Sequence, residues 1–296
     1  MKQSANLTRW KRLASLLGAR LNFSASNPSH AQSAALALRQ SSFSAPAEGV
    51  TFIVPLVSKD QVQDWDTVCD KLNGTLESFV QQSNPNWKAL VIGQTKPQTL
   101  NEDPRITFLP FTQPVEGNDK WVKLKFGCGA LPDHGWQSGY AMSFDADDLA
   151  HESLVEEVLK QQRSGYLVTD GYLFDATTKE IARTGKQSLL HPHRKPFWKL
   201  CGSCAVWRYD LGNGNGEIEF LQETLQHEHR MFPYFAKLAK RGLTPLGFPA
   251  ALYLINHGDN FSERRGRGGF KTRLVEKYAI SDAEQKREAL QPFPDL

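Results

Sequence analysis

The run Tyr140-Ala141-Met142-Ser143-Phe144-Asp145-Ala146-Asp147-Asp148 carries the strongest signal in the chain. Its first five residues predict a buried strand, and three carboxylates follow directly. Carboxylates this close repel one another unless a cation or a helix N-terminus offsets their charge. A hard cation such as Mg²⁺ or Mn²⁺ takes oxygen ligands and leaves room for phosphates. The run therefore predicts a metal site at a strand end. The alternative is that Asp147 and Asp148 cap the helix that follows.

The residues on either side alternate between strand and helix patterns. Short apolar runs predict strands at 51–56, 89–93 and 106–109, and apolar residues at helical spacing predict helices at 65–82, 119–131 and 152–162. This alternation predicts an α/β fold, with a mainly parallel sheet and helices on both of its faces. Ligands of such sheets bind beyond the carboxyl ends of the strands, which is where the acidic run lies.

The second half of the chain is less regular. Residues 166–169 and 171–174 suggest a short hairpin, 204–207 and 250–255 predict two further strands, and 232–240 predicts a helix. The stretch 212–216 alternates glycine with asparagine and predicts a flexible loop.

Charge is distributed unevenly along the 296 residues. Residues 1–47 carry six basic residues and no acidic ones, which leaves 29 basic and 32 acidic residues for the rest. Duplex binding needs a broad basic face, so we expect no nucleic-acid partner. With 40% apolar residues the chain can bury a core of its own.

Residues 1–48 form the basic leader, and we expect the folded domain to begin near Gly49. Apolar residues at 7, 10, 13, 17 and 21 share one helical face. Three interpretations stay open: an amphipathic helix in which residues 7–21 contact a membrane surface, an organelle transit peptide, or a disordered tail. No run of 18 apolar residues occurs, so we expect no membrane span.

The four cysteines are too sparse for a disulfide framework, which favours a reducing compartment. We therefore expect a cytoplasmic location, which would be membrane-peripheral if residues 7–21 contact a membrane surface. Cys201 and Cys204 form a C-x-x-C pair, which is compatible with redox chemistry. Together with His191 and His193 the pair is also compatible with a zinc site. Two core cysteines are the interpretation we favour.

Four segments, taken in order, resemble glycosyltransferases of the GT-A fold, most of all those of family 2. The segments are Val54-Pro55, 76–92, Asp119-Lys120 with Lys123 ahead of Asp145-Ala146-Asp147, and 253–262. The resemblance implies a GT-A domain at 49–262, followed by a basic, Gly-rich loop and tail at 263–296.

The resemblance implies metal-dependent, inverting transfer of a sugar, such as a hexosyl group. The donor would be UDP-, GDP- or dTDP-linked, and the acceptor a hydroxyl of a glycan or of a lipid-linked molecule. Asp145 would lie near the donor's ribose, and Asp147 would bind Mn²⁺ or Mg²⁺ with His257 as a late ligand. Pro55 and Lys123 become candidates for donor binding. For His257, a hydrogen bond to the backbone at a strand end is the alternative.

Two departures from the family pattern affect the site. The acidic residue that usually follows the second strand is absent, since Gly93-Gln94-Thr95-Lys96 stands there. The acidic pair before the late helix is replaced by His227-Glu228-His229. Glu228 is our candidate for the base that deprotonates the acceptor. His227, His229 or a merely solvated helix start are the alternatives.

Basic residues after the last strand predict a loop that closes over the donor, with Arg265 and Arg267 binding its diphosphate. A disordered basic tail is the alternative. Two other functions stay open. A nucleotidyltransferase needs a Gly-rich basic stretch after the first strand, which residues 57–60 do not supply. A non-catalytic protein that binds nucleotide sugars or carbohydrates is the second rival.

Overall fold

A computed structural model describes residues 7–20, 27–115, 117–189, 191–256 and 268–295. The strands are β1 (Val50–Pro55), β2 (Trp87–Gly93), β3 (Ile106–Pro110), β4 (Ser138–Ser143), β5 (Asp148–Ala150), β6 (Gly165–Leu167), β7 (Tyr172–Asp175), β8 (Ile181–Arg183), β9 (Ala205–Asp210), β10 (Thr244–Pro245) and β11 (Ala251–Ile255).

The α-helices are α1 (Arg9–Arg20), α2 (His30–Ala37), α3 (Trp65–Val80), α4 (Lys120–Gly129), α5 (Leu131–His134), α6 (Leu154–Gln161), α7 (Gly216–Leu225), α8 (Phe232–Leu238), α9 (Gly268–Tyr278) and α10 (Ala283–Leu290). Short 3₁₀ helices lie at Leu38–Gln40, Lys59–Gln61, Phe197–Lys199, Leu211–Asn213 and His229–Met231.

The main sheet has seven strands in the order β3-β2-β1-β4-β9-β6-β10. β1 runs parallel to both β2 and β4, and β2 runs parallel to β3. Only β9 runs against its neighbours, β4 and β6. The sheet is therefore mainly parallel, and the predicted α/β class is confirmed.

Helices cover both faces of this sheet. Consecutive side chains of a strand point in opposite directions, so each inner strand contacts helices on both sides. On one face, the ring of Phe52 stacks on that of Phe79 from α3, with centroids 3.9 Å apart. On the other face, Ile53 lies against Gly127 of α4. A Cβ atom added to Gly127 would stand 2.5 Å from Ile53 Cγ2, so only glycine allows α4 to approach β1 this closely.

A second sheet has the order β5-β11-β7-β8. The predicted hairpin over 166–174 is wrong, because its two halves belong to different sheets. β6 pairs with β9 and β10 in the main sheet, whereas β7 pairs with β11 and β8. A short apolar run indicates a strand but does not indicate which strand it pairs with.

The acidic run continues into β5 and not into a helix. Asp148 is the first residue of β5, and α6 begins at Leu154 with Ser153 as its N-cap. The alternative in which Asp147 and Asp148 cap this helix is therefore wrong. The predicted loop at 212–216 is partly ordered as a 3₁₀ turn, and α7 begins at Gly216.

Part of the leader packs onto the domain. Ser29 and Gln32 form a capping box at the start of α2. The buried alanines of α2 face α7 and α8, and the Gln32 amide donates a hydrogen bond to the Tyr234 hydroxyl of α8 at 2.8 Å. The boundary between leader and domain stays a prediction. None of the helices in the described part of the chain combines the length and the apolar character that a bilayer crossing needs.

Candidate functional site

A cleft of about 1010 Å³ opens at the carboxyl ends of β1 and β4. Its walls come from these strand ends, the acidic run, the first turns of α4, residues 195–202, residues 228–232 and the start of α9. Five residues predicted from the sequence line this cleft: Pro55, Lys123, Asp145, Asp147 and Glu228. The fold therefore brings together side chains that lie up to 173 positions apart in the chain.

The acidic run is fastened to the 201–204 loop by hydrogen bonds. The backbone N–H of Asp145 donates to Ser203 Oγ at 2.9 Å. The same hydroxyl donates to Asp148 Oδ2 at 2.5 Å, and the Cys201 thiol donates to that oxygen at 2.9 Å. Ser203 is fully buried, so these bonds are shielded from water.

The three carboxyl groups occupy different environments. Asp145 and Asp147 are half-buried and face the cleft, whereas Asp148 is fully buried. Burial, followed by the charges of Asp147 and Asp145, raises the pKa of Asp148 well above its usual range. Its Oδ1 has no hydrogen-bond partner among the described residues. The neutral acid is therefore favoured at Asp148, whereas Asp145 and Asp147 lie on the cleft side.

A lysine already pairs with the acidic run. Lys120 Nζ lies 2.5 Å from Asp145 Oδ1. Burial alone would lower the pKa of Lys120, but the Asp145 carboxylate and the acidic groups near it together more than offset this, and the pKa is raised. The ammonium group stands beside the oxygen that a metal ion would also use, so Lys120 acts as a counterion at this position.

Ligand atoms of Asp145, Asp148 and Cys201 lie within 4.8 Å of one another. Burial raises the pKa of the Cys201 thiol well above its usual range, so its thiolate is disfavoured. The cleft-facing oxygens of Asp145 and Asp147 fit a hard cation better, because Mg²⁺ and Mn²⁺ prefer oxygen ligands. The donor set on the cleft side therefore fits the predicted kind of ion.

Glu228 lies in the turn that precedes α8. Its carboxylate is 3.6 Å from Arg230 Nε. His229 also lines the cleft, and burial lowers the pKa of its imidazole to about 4. His227 is buried against Phe235 and is absent from the cleft wall. Of the three alternatives for the base, Glu228 and His229 therefore reach the cleft.

Lys123 is fully buried, and its ammonium group already contacts protein atoms. Nζ donates to the Leu56 carbonyl at 2.5 Å and lies 2.7 Å from Asp119 Oδ2. Burial lowers the pKa of Lys123. Gln94, which stands where the family has an acidic residue, donates to the same Asp119 oxygen at 2.7 Å. A donor contact by Lys123 stays a prediction.

The cleft holds more basic side chains than acidic ones. Its described lining includes eight basic side chains: Lys71, Lys120, Lys123, Lys195, Lys199, Arg230, Lys271 and Arg273. It includes four acidic ones: Asp119, Asp145, Asp147 and Glu228. Lys271 contacts the Tyr253 hydroxyl and lies 4.2 Å from the centre of its ring. A surplus of positive charge suits an anionic ligand.

The sequence did not single out Lys71, Lys195, Lys199 and Arg230 as site residues. They come from separate segments, and nothing local distinguishes them from solvated lysines and arginines. The predicted residues His257, Arg265 and Arg267, with most of the predicted loop, lie outside the described residues.

Cys201 and Cys204 are buried, and neither forms a disulfide. Among the residues that the structure describes, the grouping of metal-ligand atoms that includes Cys201 contains neither His191 nor His193. Burial raises the pKa of both thiols, which keeps them protonated and unreactive. These observations favour the interpretation as core cysteines.

No family model and no curated protein matches the chain. Solved structures of glycosyltransferases are similar to it. S. aureus TarS shares 14% identity over 81% of this chain and 42% of its own, with a TM-score of 0.40. TarS 1–349 in complex with UDP-GlcNAc shares 12% identity over 81% of this chain and 70% of its own, with a TM-score of 0.39. GlyE of Streptococcus pneumoniae TIGR4 shares 8% identity over 78% of this chain and 63% of its own, with a TM-score of 0.38.

The chain spans less than half the length of the full TarS chain. At these identities and TM-scores, similarity does not identify an activity. The function proposed for this chain therefore depends on its own site.

Proposed function

We propose that this chain is a glycosyltransferase that moves a sugar from a nucleotide-sugar donor to a hydroxyl acceptor, with Mn²⁺ or Mg²⁺ at Asp147. The observation that supports this most is the pairing of two features in one cleft. Carboxylates that suit a hard cation lie at the end of β4, and basic side chains that suit a diphosphate surround them.

The donor's diphosphate would lie between the acidic run and the basic wall. The metal ion would supply charge neutralisation at the phosphate oxygens. Lys271 and Arg273 of α9 would bind the same group, and Lys120 would stay close enough to help once its pairing with Asp145 loosens. Positive charge placed where negative charge develops lowers the barrier to departure of the diphosphate.

Glu228 would act on the acceptor. It would take the proton of the acceptor hydroxyl while the hydroxyl oxygen bonds to the anomeric carbon of the sugar and the bond to the diphosphate oxygen breaks. Attack from the side opposite the diphosphate inverts the anomeric configuration. His229 is the second candidate for this role, because it lines the same cleft.

The remaining assignments belong to the same proposal. Asp145 would contact the donor's ribose, Pro55 and Lys123 would border the donor, His257 would complete the metal ligands, and Arg265 and Arg267 would close over the diphosphate. The donor would be UDP-, GDP- or dTDP-linked, the acceptor a glycan or a lipid-linked molecule, and the location cytoplasmic with peripheral contact to a membrane.

Release of nucleoside diphosphate from a panel of UDP-, GDP- and dTDP-sugars tests the activity. With Mn²⁺ present, the wild-type chain should hydrolyse at least one of these donors or transfer the sugar from it. Glu228→Gln should lower kcat by about 100-fold or more while the Kd for donor changes little, since the base acts on the acceptor. Glu223→Gln, which changes an acid outside the cleft lining, is the matched control and should keep its activity.

Donor binding without turnover in the wild type would contradict transfer and favour the non-catalytic binding protein. Full activity in Glu228→Gln with loss in His229→Gln would move the role of base to His229.

A further inference from the structure

Helix α1 turns an apolar stripe away from the protein. Trp10, Leu13 and Leu17 are 79%, 47% and 50% exposed, and they are three of the five large hydrophobic side chains exposed in the described residues. Surface helices of globular proteins normally turn such a stripe toward the core. The orientation of α1 is the reverse, so packing against the part of the chain that the structure describes does not explain the stripe.

The opposite side of α1 holds the helix in place through polar contacts. Gln32 of α2 donates to Ser15 Oγ at 3.1 Å, and Arg39 donates to the Ala19 carbonyl at 2.9 Å. Arg12 lies 3.6 Å from the sulfur of Met231. These contacts fix the rotation of the helix about its axis, and the apolar stripe stays on the surface.

Basic residues border the stripe along one edge. At about 100° per residue, Arg9 and Arg20 lie along one edge, and Lys11 lies beyond the other edge. All three are exposed, and residues 1–47 contain no acidic residue. The surface of α1 therefore combines apolar side chains with positive charge, which complements an anionic phospholipid surface.

We propose that α1 docks the protein on a bilayer that contains anionic phospholipids. Trp10, Leu13 and Leu17 would enter the headgroup layer, and Arg9 and Arg20 would pair with lipid phosphates. Binding of this kind does not depend on the proposed sugar transfer.

Docking at α1 would also place the cleft near the bilayer. α1 packs on α8, and the first residue of α8, Phe232, lines the cleft. One helix therefore separates the docking face from the wall that carries Glu228.

Co-sedimentation of the full chain with vesicles tests the proposal. Vesicles of phosphatidylcholine with phosphatidylglycerol should bind the wild type, and this binding should weaken as the salt concentration rises. Vesicles of phosphatidylcholine alone should bind it weakly. Leu13→Gln/Leu17→Gln should weaken binding by about tenfold or more. Arg9→Gln/Arg20→Gln should weaken it by about tenfold and reduce its dependence on salt.

Leu189→Gln is the matched control, since Leu189 is 100% exposed but lies outside α1, and it should bind as the wild type does. Circular dichroism should show the same fold in all variants, because the changed side chains are exposed. Absence of wild-type binding to the anionic vesicles would overturn the proposal, and so would equal binding by Leu13→Gln/Leu17→Gln. A dimer in light scattering that this double variant abolishes, without vesicle binding, would assign the stripe to a second copy of the chain.

Discussion

Removing the Ser203 hydroxyl should loosen the acidic run. This group accepts from the Asp145 N–H at 2.9 Å and donates to Asp148 Oδ2 at 2.5 Å, and Ser203 is fully buried. Ser203→Ala deletes both bonds without leaving a large cavity. A lost bond costs about 0.5–1.5 kcal/mol, and a buried partner left unsatisfied costs about 1–3 kcal/mol. We therefore expect a destabilisation of about 2–3 kcal/mol.

Equilibrium unfolding in guanidinium chloride, followed by circular dichroism, measures this free energy. Thr224→Val is the control, since the Thr224 side chain is also fully buried but its hydroxyl has no partner among the described residues. This change should cost less than about 0.5 kcal/mol or stabilise the protein, because it removes an unpaired polar group. A cost for Ser203→Ala below about 0.5 kcal/mol, or an equal cost for the two variants, would refute the anchoring role of Ser203.

Four further predictions concern the fold that carries the site. Gly127→Ala should destabilise the protein by about 1–3 kcal/mol in the same unfolding assay, because the added Cβ meets an isoleucine of β1 at 2.5 Å. Gly74→Ala in α3 meets nothing within 4 Å and should stabilise it by about 0.5–1 kcal/mol. Glu217→Ala should lower the free energy of unfolding by about 3–5 kcal/mol in that assay, since it leaves the buried Arg241 guanidinium without its carboxylate partner. Burial lowers the pKa of His151 to about 4, so the imidazole stays neutral in the folded state. Its contribution to stability is present above the unfolded pKa near 6.5 and is lost as pH falls toward 4. Because of this group, the free energy of unfolding should be about 1–2 kcal/mol lower at pH 4.5 than at pH 7, allowing for solvent screening. His151→Gln should reduce this difference.

The sequence predicted the main sheet well where the pattern is local. β1, β2 and β4 each contain a run of apolar residues because helices cover both of their faces, so each of these strands can be recognised from its own segment. The acidic run at the end of β4 was predicted for the same reason, since strand end and carboxylates are neighbours in the chain.

Pairing between distant segments was not predictable. The hairpin over 166–174 was wrong because β6 and β7 join partners far along the chain. The ion pair of Lys120 with Asp145 and the bonds of Ser203 to the acidic run connect residues 25 and more positions apart. Helices α2, α7, α9 and α10 were also missed; the capping box at Ser29 and Gln32 was the available signal for α2.

Nucleotide binding with and without metal tests the central claim most directly. In a thermal-shift titration with Mn²⁺ present, at least one of the UDP-, GDP- and dTDP-sugars should raise the Tm of the wild type, because a ligand stabilises the state that binds it. EDTA should remove the shift, and Asp147→Asn should weaken binding by about tenfold or more. The account would be contradicted by a wild type that binds none of these donors with Mn²⁺, or by an Asp147→Asn variant that binds them equally well.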